Sequence, residues 1–391
     1  VDLTYSEADE QFRAEFRGWL DANLPAEWRE RGFWSRQDRD EGFAMRREWE
    51  ASKARAGFAG IQWPKEYGGR GGTPAQRAIY DEEMVRYRAP LTVNGLGLTF
   101  LAPTLMVIGS DEQKRDIIKP LLHNEVIWCQ GFSEPNAGSD LAALQCRAES
   151  DGDEYVINGQ KIWTSQAMHS DKMFGLFRTS TEDKKHRGIT MLIVDLRSPG
   201  IDIRPLKQMT GATDFGEVFF TDVRVPKTNV IGVEGGGWDV AMLLLSFERG
   251  ASAMPQYTGF RRELDDIVGL ARDLGRDQNP LLRQRIASSV VELECLKYHS
   301  LHVLTQVEQG KELGAASSMT KLQWSETHQD IGELFADVAG IGHQVSGSVD
   351  ENGGLDDLQR SYLWSRSETI WGGSSQVQRN IVAERVLGLP R

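Results

Sequence analysis

Between about residues 125 and 235 the spacing of apolar residues switches from helical to strand-like, and it switches back after Gly235-Gly236-Gly237. Strands gathered in one central block, with helices before and after it, make an α+β chain. In the first third Phe12, Phe16, Trp19 and Leu20 recur at helical spacing, and Ser6 with Asp9 has the pattern that caps a helix start. In the central block Glu154-Tyr155-Val156-Ile157 and Ile162-Trp163-Thr164 flank Asn158-Gly159, a dipeptide that predicts a hairpin turn. Ile189 to Val194 and Glu217 to Phe220 read as further strands. Residues 240 to 391 carry long helical patterns, broken at Gln278-Asn279-Pro280 and between Gly347 and Gly354. The last helix has capping-box spacing at Ser375 and Gln378, an apolar face of Val377, Ile381 and Val382, and Gly388 with Pro390 to stop it. The division expected is helical over 1–124, β over 125–235 and helical over 236–391.

A chain of 391 residues with 40% hydrophobic content can bury cores for two or three domains. Its net charge of -12 argues against a nucleic-acid partner, which needs a basic stripe to neutralise phosphates. Cys129, Cys146 and Cys295 include no C-x-x-C pair and cannot all pair within one chain, so buried free thiols in a reducing compartment are expected. The start, Val1-Asp2-Leu3-Thr4, has neither the basic, apolar character of a signal peptide nor a long apolar span, and a cytoplasmic location without a membrane span is expected. No dinucleotide fingerprint follows a strand, and P-loop, zinc-protease and hydrolase-elbow motifs are missing from the sequence. His299 and His302 lie three apart with no ligand quartet around them, so no metal site is expected and both histidines are expected to face solvent.

Several blocks resemble, in order, the motifs of the acyl-CoA dehydrogenase family. They are Trp63-Pro64-Lys65-Glu66-Tyr67-Gly68-Gly69, Ser133-Glu134-Pro135-Asn136-Ala137-Gly138-Ser139-Asp140, Gly159-Gln160-Lys161-Ile162-Trp163-Thr164-Ser165 and Ile370-Trp371-Gly372-Gly373-Ser374-Ser375-Gln376. The resemblance implies an N-terminal helical domain, a middle β-barrel or sandwich and a C-terminal four-helix bundle. It also implies FAD as cofactor and removal of hydrogen across the α,β bond of an acyl-CoA thioester. In the last block the family's usual catalytic glutamate is replaced by Gly372. The family's other base position, a Glu-Arg pair on the helix after the β-domain, is matched by Glu248-Arg249.

Thioester α-protons are weakly acidic, so the reaction needs a carboxylate aimed at the proton and donors at the carbonyl where negative charge develops. Glu248 is the expected carboxylate. Leu244, Leu245 and Phe247 around it are expected to raise its pKa from about 4.3 towards neutrality. The resemblance makes the backbone N–H of Gly372 one carbonyl donor. It assigns Gln130, Phe132, Ser133, Trp163, Thr164, Ser165, Ser374 and Gln376 to the flavin, with Trp163 as the stacking aromatic. It assigns Ser139 to the CoA portion, and Leu245, Arg249 and Trp371 to the substrate side, Arg249 by fixing its helix.

Members that share FAD between subunits carry R-x-x-F-G and Q-x-x-G-G-x-G stretches. Here the nearest segments are Arg272-Asp273-Leu274-Gly275-Arg276 and Asp337-Val338-Ala339-Gly340-Ile341-Gly342-His343, without the phenylalanine and the glutamine. A chain that keeps the base and lacks these contacts points to a homo- or hetero-oligomer, including an α₂β₂ assembly with a second dehydrogenase subunit. The resemblance further implies electron-transfer flavoprotein as acceptor. Removing a side chain at position 372 clears volume near the reacting carbons, which favours a branched or bulky acyl group such as a steroid-derived one. An oxidase or flavin monooxygenase of the same fold, and a non-catalytic subunit, are the alternative readings.

Overall fold

The computed structural model describes residues 5–30, 32–34, 37, 39–249, 254–311, 314–345 and 356–390, without the side chains of residues 248, 249, 308 and 316. Helices α1 (Glu7–Asn23), α2 (Arg39–Arg55), α3 (Pro74–Arg86), α4 (Ala102–Ile108) and α5 (Asp111–Leu122) precede the strands. Strands β1 (Trp128–Gly131), β2 (Arg147–Asp151), β3 (Glu154–Ser165), β4 (Lys172–Arg178), β5 (Ile189–Asp195), β6 (Ile201–Leu206), β7 (Phe215–Pro226) and β8 (Val230–Ile231) follow. Helices α6 (Gly237–Arg249), α7 (Met254–Asp273), α8 (Pro280–Glu308), α9 (Ser317–Ala339), α10 (Asp357–Glu368) and α11 (Ser375–Ile381) complete the chain. The chain is thus helical, then β, then helical, as an α+β protein.

Packing cuts across that order and divides the chain into two compact units. One comprises residues 1–44, 72–91 and 249–391, the other residues 45–71 and 92–248. In the second, the strands form a sheet in the order β6-β7-β3-β2-β4-β5-β8, with β1 running parallel to β4. β4 is apolar from Met173 to Phe177 because both of its faces are covered. Phe174 and Leu176 join a core with Leu105, Ile118 and Leu244 from the helices, while Met173 and Phe177 join Tyr155, Val218 and Val225 from the sheet. In the first unit α7, α8, α9 and α10 share a core of Phe260, Leu264, Leu293, Trp324, Leu334 and Leu358. Each such side chain contributes roughly 1.5–3 kcal/mol of burial energy.

Local signals at the N-terminus act as expected. Ser6 accepts from the Asp9 N–H at 3.2 Å and Asp9 accepts from the Ser6 N–H at 3.2 Å, a reciprocal cap, while Phe12, Phe16 and Leu20 are buried and Trp19 half-buried. Asn279 caps α8 through its side chain. The break expected between Gly347 and Gly354 lies outside the described residues.

Four readings are corrected. Asn158-Gly159 is no hairpin turn: β3 runs through it, and the β3–β7 register slips between Ile157 and Gly159. Asn158 exchanges hydrogen bonds with Asp222 across that slip, and a Cβ at Gly159 would stand 2.9 Å from the Cys146 Cα, so glycine serves a close strand approach there. The hairpin lies instead between β2 and β3, where Gly152 adopts φ 60°. The N-cap of α11 is Ser374, which accepts from the Val377 N–H at 3.3 Å, one residue before the position expected. Cys295 is exposed, whereas Cys129 and Cys146 are buried and burial pushes each thiol up to about 12. Likewise His299 is half-buried and shares a hydrogen bond with the Thr320 hydroxyl at 2.8 Å, while His302 is exposed.

Candidate active site

The residues singled out in the sequence form two groups, one on each unit. In the unit that holds the sheet, β1 carries Gln130, half-buried and in register with Phe174. A Cβ at Gly131 would lie 2.2 Å from the Met173 sulfur, so only glycine lets β1 lie this close to β4. Phe132 turns into the core, edge-to-face on Phe174 with centroids 6.2 Å apart, so its side chain is not available to a ligand. The Ser133 carbonyl accepts from the Ile162 N–H at 2.9 Å, and its side chain is half-buried.

Trp163 sits where the β3–β7 register slips a second time, between Lys161 and Thr164. Its φ of 58° is left-handed, and the residue is 58% exposed, its ring touched edge-on by Phe215 at 6.0 Å. Left-handed backbone costs a non-glycine residue about 1–2 kcal/mol, and leaving an indole in water forgoes its burial energy. A bulge that spends stability on both counts re-aims a side chain for use. Thr164 points the other way, fully buried with its hydroxyl unpartnered, so it can offer a ligand only main-chain groups; Ser165 is half-buried on the Trp163 side of the strand. Flat aromatic surface flanked by a hydroxyl fits the isoalloxazine ring of FAD.

Glu134 and Lys161 hold these two segments together. The buried Glu134 carboxylate accepts from the Lys161 ammonium at 2.7 Å and from the N–H groups of Gln145 and Cys146 at 2.6 and 2.9 Å. Lys161 also donates to the Phe132 carbonyl at 3.3 Å. Both charges stand in motif blocks, yet sequence reasoning gave them no role; their motif positions were the available signal.

Ser139 is exposed in the turn after Glu134, and its neighbour Asp140 pairs with Lys185 at 2.6 Å. On α6, Ala241 and Leu244 are buried and Leu245 half-buried in the helix-side core. Position 248 falls in the last turn of α6, four residues after Leu244. The side chains of Glu248 and Arg249 lie outside the described residues.

In the other unit, Ile370 to Gly373 link α10 to α11. Gly372 and Gly373 have φ of 65° and 89°, two consecutive left-handed residues that suit glycine. The Gln378 amide donates to the Gly372 carbonyl at 2.9 Å and the Gly373 carbonyl at 3.4 Å, and a Cβ at Gly373 would lie 2.4 Å from that amide nitrogen. The N–H groups of Ile370 and Trp371 donate to the Ser367 carbonyl in the last turn of α10 and that of Ser375 to the Thr369 carbonyl, while that of Gly372 has no partner among the described residues. Trp371 donates from Nε1 to the Ser367 hydroxyl at 3.0 Å, and its ring leans on Trp324 at 5.6 Å. Ser374 is half-buried, Gln376 is exposed, and the buried Ser375 hydroxyl between them is unpartnered. Arg276, in the segment departing from the family pattern, donates to the Val338 carbonyl at 2.7 Å, so it braces the end of α9.

The chain matches the models for the acyl-CoA dehydrogenase N-terminal domain over residues 6–125, middle domain over 129–223 and C-terminal domain over 235–387. It is 43% identical over 383 residues to "Acyl-CoA dehydrogenase IpdE1" of Mycobacterium tuberculosis, covering 98% of each chain. It is 32% identical to "Acyl-CoA dehydrogenase FadE26" of the same organism, covering 100% of this chain and 99% of the relative. Among solved structures it superposes on "Tcur3481-Tcur3483 steroid ACAD" with a TM-score of 0.86 at 31% identity, covering 100% of both chains. The ChsE4-ChsE5 complex from Mycobacterium tuberculosis superposes with a TM-score of 0.83 at 30% identity, again over 100% of both chains. No helix among the described residues is long and apolar enough to cross a membrane. Matching domain models from residue 6 to residue 387 and whole-length identity to named dehydrogenases place this chain in the acyl-CoA dehydrogenase family.

Proposed function

We propose that the chain removes hydrogen across the α,β bond of a bulky acyl-CoA, with the Glu248 carboxylate taking the α-proton and the Gly372 N–H donating to the thioester carbonyl. The observation that carries this reading is Gly372 itself: left-handed, without a side chain, its carbonyl held by Gln378 and its amide unpartnered among the described residues. An amide already fixed in direction stabilises a developing enolate without reorganising during the reaction. FAD, when bound, supplies the acceptor for the hydride from the β-carbon. Trp163, Ser133 and Ser165, the main chain of Gln130, Phe132 and Thr164, and Ser374 and Gln376 at the start of α11 are the residues assigned to hold it. Ser139 is assigned to the CoA portion, and Leu245, Arg249 and Trp371 to the substrate side.

Support for a bulky acyl group comes from position 372, which brings no side-chain volume, and from a solved relative named as a steroid ACAD. Two solved relatives carry the names of two different subunits, which supports a hetero-oligomer, and the altered Arg272–Arg276 and Asp337–His343 segments agree with that. Electron-transfer flavoprotein is the acceptor assigned.

The test is anaerobic mixing of purified FAD-loaded protein, alone and co-expressed with neighbouring dehydrogenase subunits, with straight-chain, branched and steroid-derived acyl-CoAs. Bleaching of the flavin band by a bulky thioester, with little peroxide formed under air, is expected. A flavin that no thioester bleaches in any subunit combination would remove the reading, and stoichiometric peroxide would convert it to an oxidase.

A further inference from the structure

Behind the loop that carries Gly372 lies a charged cluster in the bundle, with His328 and Glu368 buried and Glu263 half-buried. His328 of α9 is 4% exposed and bonds Glu368 of α10 through Nδ1 at 2.5 Å. Its Nε2 faces Glu263 of α7 at 3.0 Å and the Ser361 hydroxyl of α10 at 2.9 Å; Ser361 also donates to Glu263 at 2.9 Å. Phe260 of α7 stacks on the imidazole at 4.0 Å, and Trp324 and then Trp371 continue the aromatic contacts to the loop. Burial by itself lowers the imidazolium's pKa, but the hydrogen bonds to Glu263 and Glu368 outweigh it and raise it to about 9.

Glu368 ends α10, four residues before Gly372. The Lys321 ammonium of α9 donates to the Glu368 main-chain carbonyl, and Gln329 of α9 donates to the Thr369 hydroxyl at 2.8 Å and the Ser365 carbonyl at 3.2 Å. Thus α9 grips the end of α10 at the point where the loop departs. Elsewhere these helices bury apolar side chains together with neutral polar ones such as Ser325, Thr327 and Ser365. An apolar trio would hold helices together as well as a buried histidine between two carboxylates, so cohesion alone does not account for the charges, whereas directional bonds fix where a helix end points.

We propose that His328 is a positioning residue: its charged bridge to Glu368 sets the end of α10 and thereby aims the loop of Ile370 to Gly373. Its consequence for the reaction rests on the reading of Gly372 given above. The bridge and the α7 contact are separable, because Glu263 holds the same imidazole and makes no hydrogen bond to the loop among the described residues.

Hydrogen exchange read by mass spectrometry on FAD-loaded wild type, His328→Gln, Glu368→Gln and Glu263→Gln tests this, comparing peptides spanning 369–376 and 281–300. His328→Gln and Glu368→Gln are expected to speed exchange at 369–376 about tenfold and Glu263→Gln less than about twofold, with 281–300 unchanged in all. In the wild type, exchange at 369–376, corrected for the intrinsic pH effect, is expected to rise as pH passes about 9. Equal acceleration of both peptides in all three variants would show a general loss of bundle stability and overturn the proposal, as would unchanged exchange at 369–376. A loosened loop with an undiminished rate of flavin reduction, measured with the thioester that bleaches wild type fastest, would keep the positioning role and remove Gly372 from the reaction.

Discussion

The Lys161 ammonium lies 2.7 Å from the Glu134 carboxylate, both buried, and this pair ties the segment of Phe132 and Ser133 to the strand that exposes Trp163. Glu134 keeps two backbone N–H partners besides Lys161, so its charge is fully answered without solvent. The pair therefore sets the spacing of two segments assigned to the same cofactor.

Removing one partner leaves the other charged and buried. Lys161→Met is expected to destabilise the protein by roughly 3 kcal/mol and to lower FAD retention. Urea unfolding with flavin quantified after gel filtration measures both; unchanged stability would mean that the pair is not coupled as described.

Trp163 is exposed on a left-handed backbone that suits glycine. Trp163→Gly is expected to change stability by no more than about 1 kcal/mol while weakening FAD binding about tenfold. Flavin titration of the apoprotein decides, and wild-type affinity in the variant would exclude a stacking role for the indole.

At Gly373 any Cβ meets the Gln378 amide that holds the Gly372 carbonyl. Gly373→Ala is expected to cost about 2 kcal/mol and to slow flavin reduction by acyl-CoA more than tenfold, through displacement of the loop. Gln378→Ala should lower the rate in the same direction with a smaller loss of stability. Full rates in both variants would show that the loop needs no such anchoring.

Glu248→Gln removes the proposed base and keeps the shape of the side chain. FAD content is expected to stay at the wild-type level while thioester-dependent flavin reduction falls at least a thousandfold. Near-normal turnover in stopped flow would assign the base elsewhere.

His328 makes stability depend on pH in a direction that follows from its shift. Its pKa in the folded protein, about 9, exceeds the ordinary 6.5, so its contribution is complete below pH 6.5 and is lost as pH rises through 9. The upper bound on that contribution is about 3 kcal/mol. Subtracting the melting curve of His328→Gln from that of wild type between pH 6 and 10 isolates it, and a difference that grows with pH would contradict the sign.

From the sequence alone came the order of helical and β segments, the cap at Ser6 and Asp9, and the motif blocks around Ser133, Trp163 and Gly372. These rest on residues close together in the chain, where period, capping and turn chemistry act over a few positions. The tertiary structure decided that Asn158-Gly159 is a slip inside a long strand, because Cys146 and Asp222 meet it from other strands. It also decided that Thr164 turns inward while Trp163 faces out, since the bulge between them exists only through pairing with β7. Nothing nearby in the sequence marks out His328 among the seven histidines; its role comes from the packing of α7, α9 and α10, which sets Glu263 and Glu368 on its two nitrogens. Charges separated by 65 and 40 residues acquire a shared role only when burial removes the water that would otherwise screen them.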